Sequence, residues 1–125
     1  MITYEYRLPH DINSFRRSVG WYELSPRQLN CALKSSVFAI TALDGEKEVG
    51  SARVVGDGGY QFCISDVIVR PEYQGQGIGR EMLSRLMDKA LSVADEGETI
   101  MINLMAAKDK EPFYEKLGFM RRPND

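Results

Sequence analysis

The stretch DVIVRPEYQGQGIGR, residues 66–80, decides the fold. Its apolar residues 67–69 predict a buried strand that ends before Pro71, which cannot donate to a sheet ladder. Glycines follow at positions 75, 77 and 79, and apolar residues then recur at helical spacing to about residue 94. Glycines let backbone come close to a ligand, and the first N–H groups of a helix attract anions. The stretch therefore predicts a strand, an anion-binding turn for which pyrophosphate is the usual ligand, and a long helix, with Arg80 adding positive charge.

The rest of the chain alternates between strand-like and helical patterns. Upstream, residues 3–8 predict a strand, Asp11 caps a helix to residue 19, and Ser25 begins a capping box with Gln28. Three strands joined by tight turns then predict an antiparallel meander, over residues 37–43, 48–55 and 60–69. Downstream, the apolar run 99–105 predicts a strand covered on both faces, residues 111–117 a short helix, and residues 119–121 the start of a last strand. The order β-α-α-β-β-β-α-β-α-β predicts one α/β domain over residues 1–125.

Composition excludes several classes of function. The net charge of −2 gives no support for broad binding to nucleic acid, and no apolar run is long enough to cross a membrane. The first seven residues lack the core of a signal peptide. Cys31 and Cys63 stand apart and predict buried, reduced thiols in a cytoplasmic protein. His10, the single histidine, predicts a solvated loop residue, so a metal site or a Ser-His-Asp triad is not expected.

Gln74-x-x-Gly77-x-Gly79 resembles motif A, [RQ]-x-x-G-x-[GA], of the GCN5-related N-acetyltransferases (GNAT), whose loop binds the pyrophosphate of acetyl-CoA. It is neither the dinucleotide fingerprint G-x-G-x-x-G nor a Walker loop. Downstream, the run FYEKLGF at residues 113–119 is similar to the family's Y-x-K-x-G-F signature. The resemblance covers nearly the whole chain. It implies the GNAT fold, a mixed and mostly antiparallel sheet splayed at the acetyl-CoA site, with acetyl-CoA as co-substrate.

The resemblance also implies roles for individual residues. The strand before the loop would pair with the pantetheine arm through Val67, Ile68 and Val69, next to a β-bulge. The residues that match the pyrophosphate loop are Gln74, Gly75, Gln76, Gly77, Ile78, Gly79 and Arg80. Tyr114 matches the tyrosine that protonates the departing CoA thiolate in many members; the alternative is an aromatic packing residue on a short helix.

The residues that handle the acceptor amine are less defined by the sequence. An amine is protonated at neutral pH and must lose a proton before it attacks a thioester. Asp66 lies in an otherwise apolar run; buried there, it would have a raised pKa and relay a proton through water. Equally, its carboxylate hydrogen-bonds the sheet or orients the amine. Trp21, Tyr22 and Tyr60 are candidates for the wall of the acceptor site, holding an amine by cation–π contact, unless they are core aromatics.

Two features depart from the family pattern. Many members have an asparagine that contacts CoA about seven residues before the tyrosine, where this chain has Ala107 with Lys108 beside it. The chain also ends at Asp125, before the usual pair of C-terminal strands. Either the sheet is shorter or a neighbouring subunit completes it, and an unpaired edge favours a homodimer.

The resemblance implies an enzyme that transfers an acetyl group from acetyl-CoA to a primary amine of a small molecule. The mildly acidic chain suits a cationic amine better than an acidic one. One alternative is acetylation of a protein or peptide, which an open acceptor groove would favour. Another is a module that senses acyl-CoA without turnover.

Overall fold

The computed structural model describes residues 1–104, 110–115 and 118. In this part of the chain five strands form one sheet in the order β1-β2-β3-β4-β5. Neighbouring strands are antiparallel from β1 to β4, whereas β5 is parallel to β4. The predicted meander and the mixed sheet are therefore confirmed. The strands are β1 (Ile2–Glu5), β2 (Ser36–Asp44), β3 (Lys47–Gly56), β4 (Gln61–Val69) and β5 (Met101–Leu104).

Three helices begin where the sequence predicts, whereas the long helix begins at Ile78, within the glycine turn, and ends at Leu91, before the predicted end near residue 94. The helices are α1 (Ile12–Ser18), α2 (Pro26–Ser35), α3 (Ile78–Leu91) and α4 (Glu111–Glu115), with a 3-10 turn at Pro71–Tyr73. Asp11 caps α1 by accepting a hydrogen bond from the backbone N–H of Ser14 at 3.0 Å. Ser25 and Gln28 form the predicted capping box at the start of α2, with side-chain to backbone distances of 3.1 and 2.9 Å.

The two faces of the sheet have different partners. Helix α3 packs on one face, where Phe62, Met82, Leu83 and Leu86 are completely buried. Burial of each such side chain contributes about 1.5–3 kcal/mol to stability. On the other face lies α1, whose buried Phe15 shares a cleft with residues of β3 and β4. Side chains alternate along β3, so Ala52 and Val54 belong to the core under α3, whereas Ser51 and Arg53 lie on the α1 side.

Several local predictions were wrong. Strand β5 is not covered on both faces, because the Met101 residue is 53% exposed and Asn103 is exposed as well. It pairs with β4 alone within the described residues. The cysteines are not buried: Cys31 is exposed on α2, and Cys63 is half-buried on β4. His10 is exposed, as expected.

Some predictions lie outside the described residues. These concern Ala107, Lys108 and the strand proposed for residues 119–121, together with Lys116 and Leu117 of the motif near the C-terminus. Among the described helices, none is both long and apolar enough to span a bilayer.

Candidate active site

A β-bulge interrupts β4 at Asp66 and Val67. Ser51 of β3 lies opposite Ile68 and Arg53 opposite Ser65, so a single residue of β3 faces two residues of β4. Asp66 has φ 54°, the one positive φ found among described residues other than glycine. Aspartate adopts this left-handed conformation more readily than most side chains. The bulge therefore lies where the family resemblance implies it.

Beyond the bulge, the end of β4 presents backbone groups away from β3. The N–H of Arg70 donates to the carbonyl of Val49 at 2.9 Å. Because hydrogen-bonded pairs alternate along an antiparallel ladder, the N–H and C=O of the preceding residue, Val69, point to the β5 side. Pairing with β5 ends at Ile64 in the described part of the chain. The Val69 carbonyl already accepts a hydrogen bond from Gln74 Nε2 at 3.0 Å, so the Val69 N–H is the group of this residue with which an extended ligand can pair, as an added strand would.

The glycine turn leads directly into α3. Gly75 and Gly77 have φ of 82° and 85°, and Gly77 is the N-cap of the helix. The first bond of the helix runs from the N–H of Glu81 to the carbonyl of Gly77 at 3.0 Å. The N–H groups of residues 78, 79 and 80 therefore have no acceptor within the helix and lie at its positive end. The turn has the backbone donors that bind phosphate oxygens.

Helix α4 lies beside this turn. A Cβ placed on Gly79 would be 3.5 Å from the Phe113 ring and 3.7 Å from the Val69 side chain. The structure thus brings together the strand edge, the glycine turn and the helix that carries Tyr114. Arg80 is exposed at the same helix start, and it forms no ion pair with any part of the chain that the structure describes.

A tyrosine just before the loop anchors it to a hairpin. The Tyr73 hydroxyl donates to Asp44 Oδ2 at 2.6 Å, and the Lys47 ammonium lies 5.2 Å from the Tyr73 ring centroid. Asp44 and Lys47 flank the β2–β3 turn. Sequence reasoning missed this contact, since the hydroxyl and its acceptor are 29 residues apart.

Tyr114 is half-buried against the α3 core, with its ring edge-on to Phe113 at 5.1 Å between centroids. Burial raises the pKa of the Tyr114 phenol. The phenol is therefore protonated at neutral pH, which is the state that a proton donor needs. The same contacts also fit the alternative, in which Tyr114 is an aromatic packing residue on a short helix.

Asp66 lies on the α1 face of the sheet, between two guanidinium groups. Arg53 Nε is 2.8 Å from Asp66 Oδ2, and Arg16 Nη1 is 3.4 Å from Oδ1. The Asp66 side chain is 27% exposed. The sequence predicted apolar neighbours because both arginines come from other elements, α1 and β3. The hydrogen bond from Arg53 of β3 is a contact with the sheet, as in the second interpretation, in which the Asp66 carboxylate hydrogen-bonds the sheet or orients the amine.

The aromatic candidates are divided between two places. Trp21 and Tyr22 hold the Arg16 guanidinium, which lies 5.2 and 5.1 Å from their ring centroids. Arg16 Nε also donates to the Tyr22 carbonyl at 2.8 Å. Tyr60 instead precedes β4, six residues before Asp66, or roughly 20 Å along an extended strand. The structure thus brings Trp21 and Tyr22 to Asp66 through Arg16 and leaves Tyr60 apart.

A narrow cleft opens on this face between α1, β3 and β4. Its lining includes Phe15, Arg16, Arg53, Asp66 and Ile68. The enclosed part is only about 10 Å³, room for roughly one water molecule. Within the described residues, no three His, Cys, Asp or Glu side chains are grouped so as to hold a metal ion.

Comparison with known proteins agrees with this geometry. Residues 34–121 match the acetyltransferase (GNAT) domain family. The chain belongs to the GNAT acetyltransferase family. It is 31% identical over 119 residues to the uncharacterized N-acetyltransferase ycf52 of Pyropia yezoensis, covering 92% of this chain and 66% of the relative. It is 33% identical over 134 residues to the chloroplastic GCN5-related N-acetyltransferase 2 of Arabidopsis thaliana, covering 91% and 50%.

A solved structure also shares the fold. The GNAT-family acetyltransferase SP0256 of Streptococcus pneumoniae superposes with a TM-score of 0.78 at 30% identity, with 96% of this chain and 88% of that chain covered. The GNAT fold predicted from the sequence is therefore confirmed. This GNAT chain spans about half to two thirds of the length of the curated relatives described above.

Proposed function

We propose that this GNAT chain transfers the acetyl group of acetyl-CoA to a primary amine of a small molecule. The glycine turn carries the proposal, because the first N–H groups of α3 lie beside the end of β4, where pairing with β5 stops at Ile64 in the described part of the chain. A pyrophosphate bound at residues 74–80 leaves the pantetheine arm to run along residues 67–69 as an added strand. That path leads the thioester toward the bulge at Asp66.

The proposed reaction is a direct attack without an acyl-enzyme intermediate. The neutral amine attacks the thioester carbonyl, and a backbone N–H near the bulge stabilises the oxyanion that forms. As the tetrahedral species collapses, the carbon–sulfur bond breaks and the CoA thiolate leaves. Tyr114 donates its phenolic proton to that thiolate. The amine proton leaves through water at the cleft, where Asp66 accepts it or orients the amine.

A CoA-thiol release assay tests this proposal. Purified protein with acetyl-CoA and a panel of amines and peptides should release CoA on at least one amine. Tyr114→Phe should lower kcat about a hundredfold or more while the Kd for acetyl-CoA changes little, since general acid catalysis contributes about 10²–10⁴-fold. Tyr6→Phe is the control and should keep full activity, because Tyr6 is exposed and follows β1, at the other end of the described strand order from β5.

Three results would redirect the proposal. Turnover on peptides alone would establish the protein acetyltransferase alternative. Tight binding of acetyl-CoA without release on any acceptor would favour the sensor. Failure to bind acetyl-CoA would overturn the argument from the glycine turn.

A homodimer and a cytoplasmic location are further parts of the proposal. Among the described residues β5 pairs with β4 alone, which supports a dimer, and a monomeric mass in light scattering at micromolar concentration would contradict it. The Arabidopsis relative is a chloroplastic protein, so localisation of a tagged chain should distinguish a cytoplasmic from a plastid protein. No nucleic acid or membrane partner is proposed.

A further inference from the structure

Three arginines gather on the α1 face of the sheet. Arg16 and Arg53 share the single carboxylate of Asp66, at 3.4 and 2.8 Å. The Arg70 guanidinium lies 4.1 Å from the ring centroid of Phe15, which lines the same cleft. Two of these positive groups, Arg16 and Arg53, line the cleft, and its lining contributes one carboxylate among the described residues.

The third arginine donates only to neutral acceptors in the part of the chain that the structure describes. Arg70 Nε donates to the backbone carbonyl of Glu48 at 2.8 Å, and Arg70 Nη2 to the Ser14 hydroxyl at 3.1 Å. The Glu48 carboxylate itself is occupied elsewhere, by Arg7 Nη1 at 2.6 Å and the N–H of His10 at 3.0 Å. Arg7 pairs with Glu5 as well, at 2.7 Å, so Arg7, Glu5 and Glu48 together carry one net negative charge, which offsets Arg70. The excess of positive charge lies with Arg16 and Arg53 against Asp66, in a chain whose net charge is −2.

Burial strengthens the effect of this excess. The side chains of Arg16 and Arg53 are only 9% and 18% exposed. Charges held away from water are costly unless paired, and one carboxylate divided between two guanidinium groups leaves one positive charge without a counter-charge. A ligand anion would supply it. Because the enclosed volume is about 10 Å³, such an anion must bind at the mouth of the cleft, where Arg53 and Asp66 reach solvent.

We propose that the acceptor is a small amine that also bears an anionic group, a carboxylate or a phosphate. The anion contacts the Arg53 guanidinium at the mouth of the cleft and is attracted by the charge of the buried Arg16, and the amine lies beside Asp66. This inference rests on the proposed acetyl transfer and names the class of its substrate. It reverses the expectation from net charge, because the local charge at the cleft is opposite in sign to that of the chain.

Matched pairs of acceptors test the proposal. O-phosphoethanolamine against ethanolamine probes a phosphate, and tyrosine against tyramine probes a carboxylate. We expect kcat/KM to be at least tenfold higher for the anionic member of at least one pair, since charge-assisted hydrogen bonds are about twice as strong as neutral ones. A ratio of one or less in both pairs would overturn the inference.

Variants assign the effect to the cleft. Arg53→Gln should bring the ratio of kcat/KM between the anionic and the neutral acceptor of a pair towards one. Arg53→Lys should keep part of the preference for the anionic acceptor. Arg17→Gln is the matched control: Arg17 is the next residue of α1 after Arg16, but it is exposed and paired with Glu23. It should leave the ratio unchanged. An equal fall in both members of a pair in Arg53→Gln would show a structural role and contradict the inference.

A second readout needs no turnover. The guanidinium Nε–Hε resonances of Arg16 and Arg53 should shift when O-phosphoethanolamine is added, and not when ethanolamine is added. If the resonances shift but no acetyl transfer occurs, the result supports the anion site and overturns the proposed function. Transfer to neutral amines without shifts would retain the transferase and overturn this inference.

Discussion

Replacing Gly77 by alanine separates the conformational role of the glycine turn from its role in binding. Gly77 has φ 85°, and a Cβ added there would have no atom of the described chain within 4 Å. The substitution therefore causes no clash, and its cost is that of placing an L-residue in the left-handed region, about 1–2 kcal/mol. Gly58, in the β3–β4 turn, has φ 79° and equal space around its Cβ. Gly77→Ala and Gly58→Ala should each lower the free energy of unfolding in urea by about that amount.

Binding should distinguish the two variants. A methyl group at Gly77 projects into the space beside the free N–H groups of α3, where a phosphate must come close to the backbone. We expect the Kd for acetyl-CoA, measured by titration calorimetry, to rise at least tenfold in Gly77→Ala, equivalent to about 1.4 kcal/mol. Gly58→Ala should bind as wild type does. Equal affinities in the two variants would refute the assignment of the turn to the pyrophosphate.

Three further substitutions test the fold and the charged face. Phe62→Ala removes a fully buried ring that stacks on Phe38, with 5.8 Å between the ring centroids. The free energy of unfolding in urea should fall by about 3–5 kcal/mol. A fall below about 1 kcal/mol would contradict a core built around Phe62. Burial tends to raise the pKa of Glu48, but hydrogen bonds from Arg7 and His10 outweigh this effect and leave the pKa lowered. The Glu48 carboxylate therefore stabilises the fold above about pH 4.3, the pKa of glutamate in the unfolded chain. This stabilisation is lost as the pH falls through the lower pKa of the folded state. Glu48→Gln should therefore flatten the acid side of the stability curve, whereas parallel curves would exclude this role. Asp66→Asn keeps a side chain that tolerates a positive φ but removes the counter-charge of two arginines. The free energy of unfolding at neutral pH should fall by about 1–3 kcal/mol. An unchanged free energy of unfolding would show that the ion pairs contribute little.

Elements set by neighbouring residues could be predicted from the sequence. The capping box at Ser25 and Gln28 acts within one turn of helix, and the strand, turn and helix of residues 66–80 follow one another directly. The alternation of strands and tight turns was likewise sufficient for the antiparallel meander. Each of these features depends on residues within a few positions of one another, where the sequence pattern is strongest.

Contacts between distant residues could not be predicted. Arg16 and Asp66 are 50 residues apart, so the local sequence around Asp66 showed an apolar run and not an ion-paired carboxylate. Residues 99–105 indicated a strand covered on both faces because they are nearly all apolar, yet Met101 and Asn103, which share one face of β5, are exposed. The prediction that Cys31 is buried was wrong for a similar reason. Cysteine is usually buried, but position 31 lies on the exposed side of α2.

The most direct test of this account is to map acetyl-CoA binding on the backbone amide resonances of the protein. The account predicts that the largest shifts fall on residues 67–69 and 74–80, with slow or intermediate exchange at Gly75 and Gly77. Shifts centred instead on the groove lined by Val55, Gln61 and Cys63 at the far end of β4 would contradict it. So would the absence of any shift at saturating acetyl-CoA.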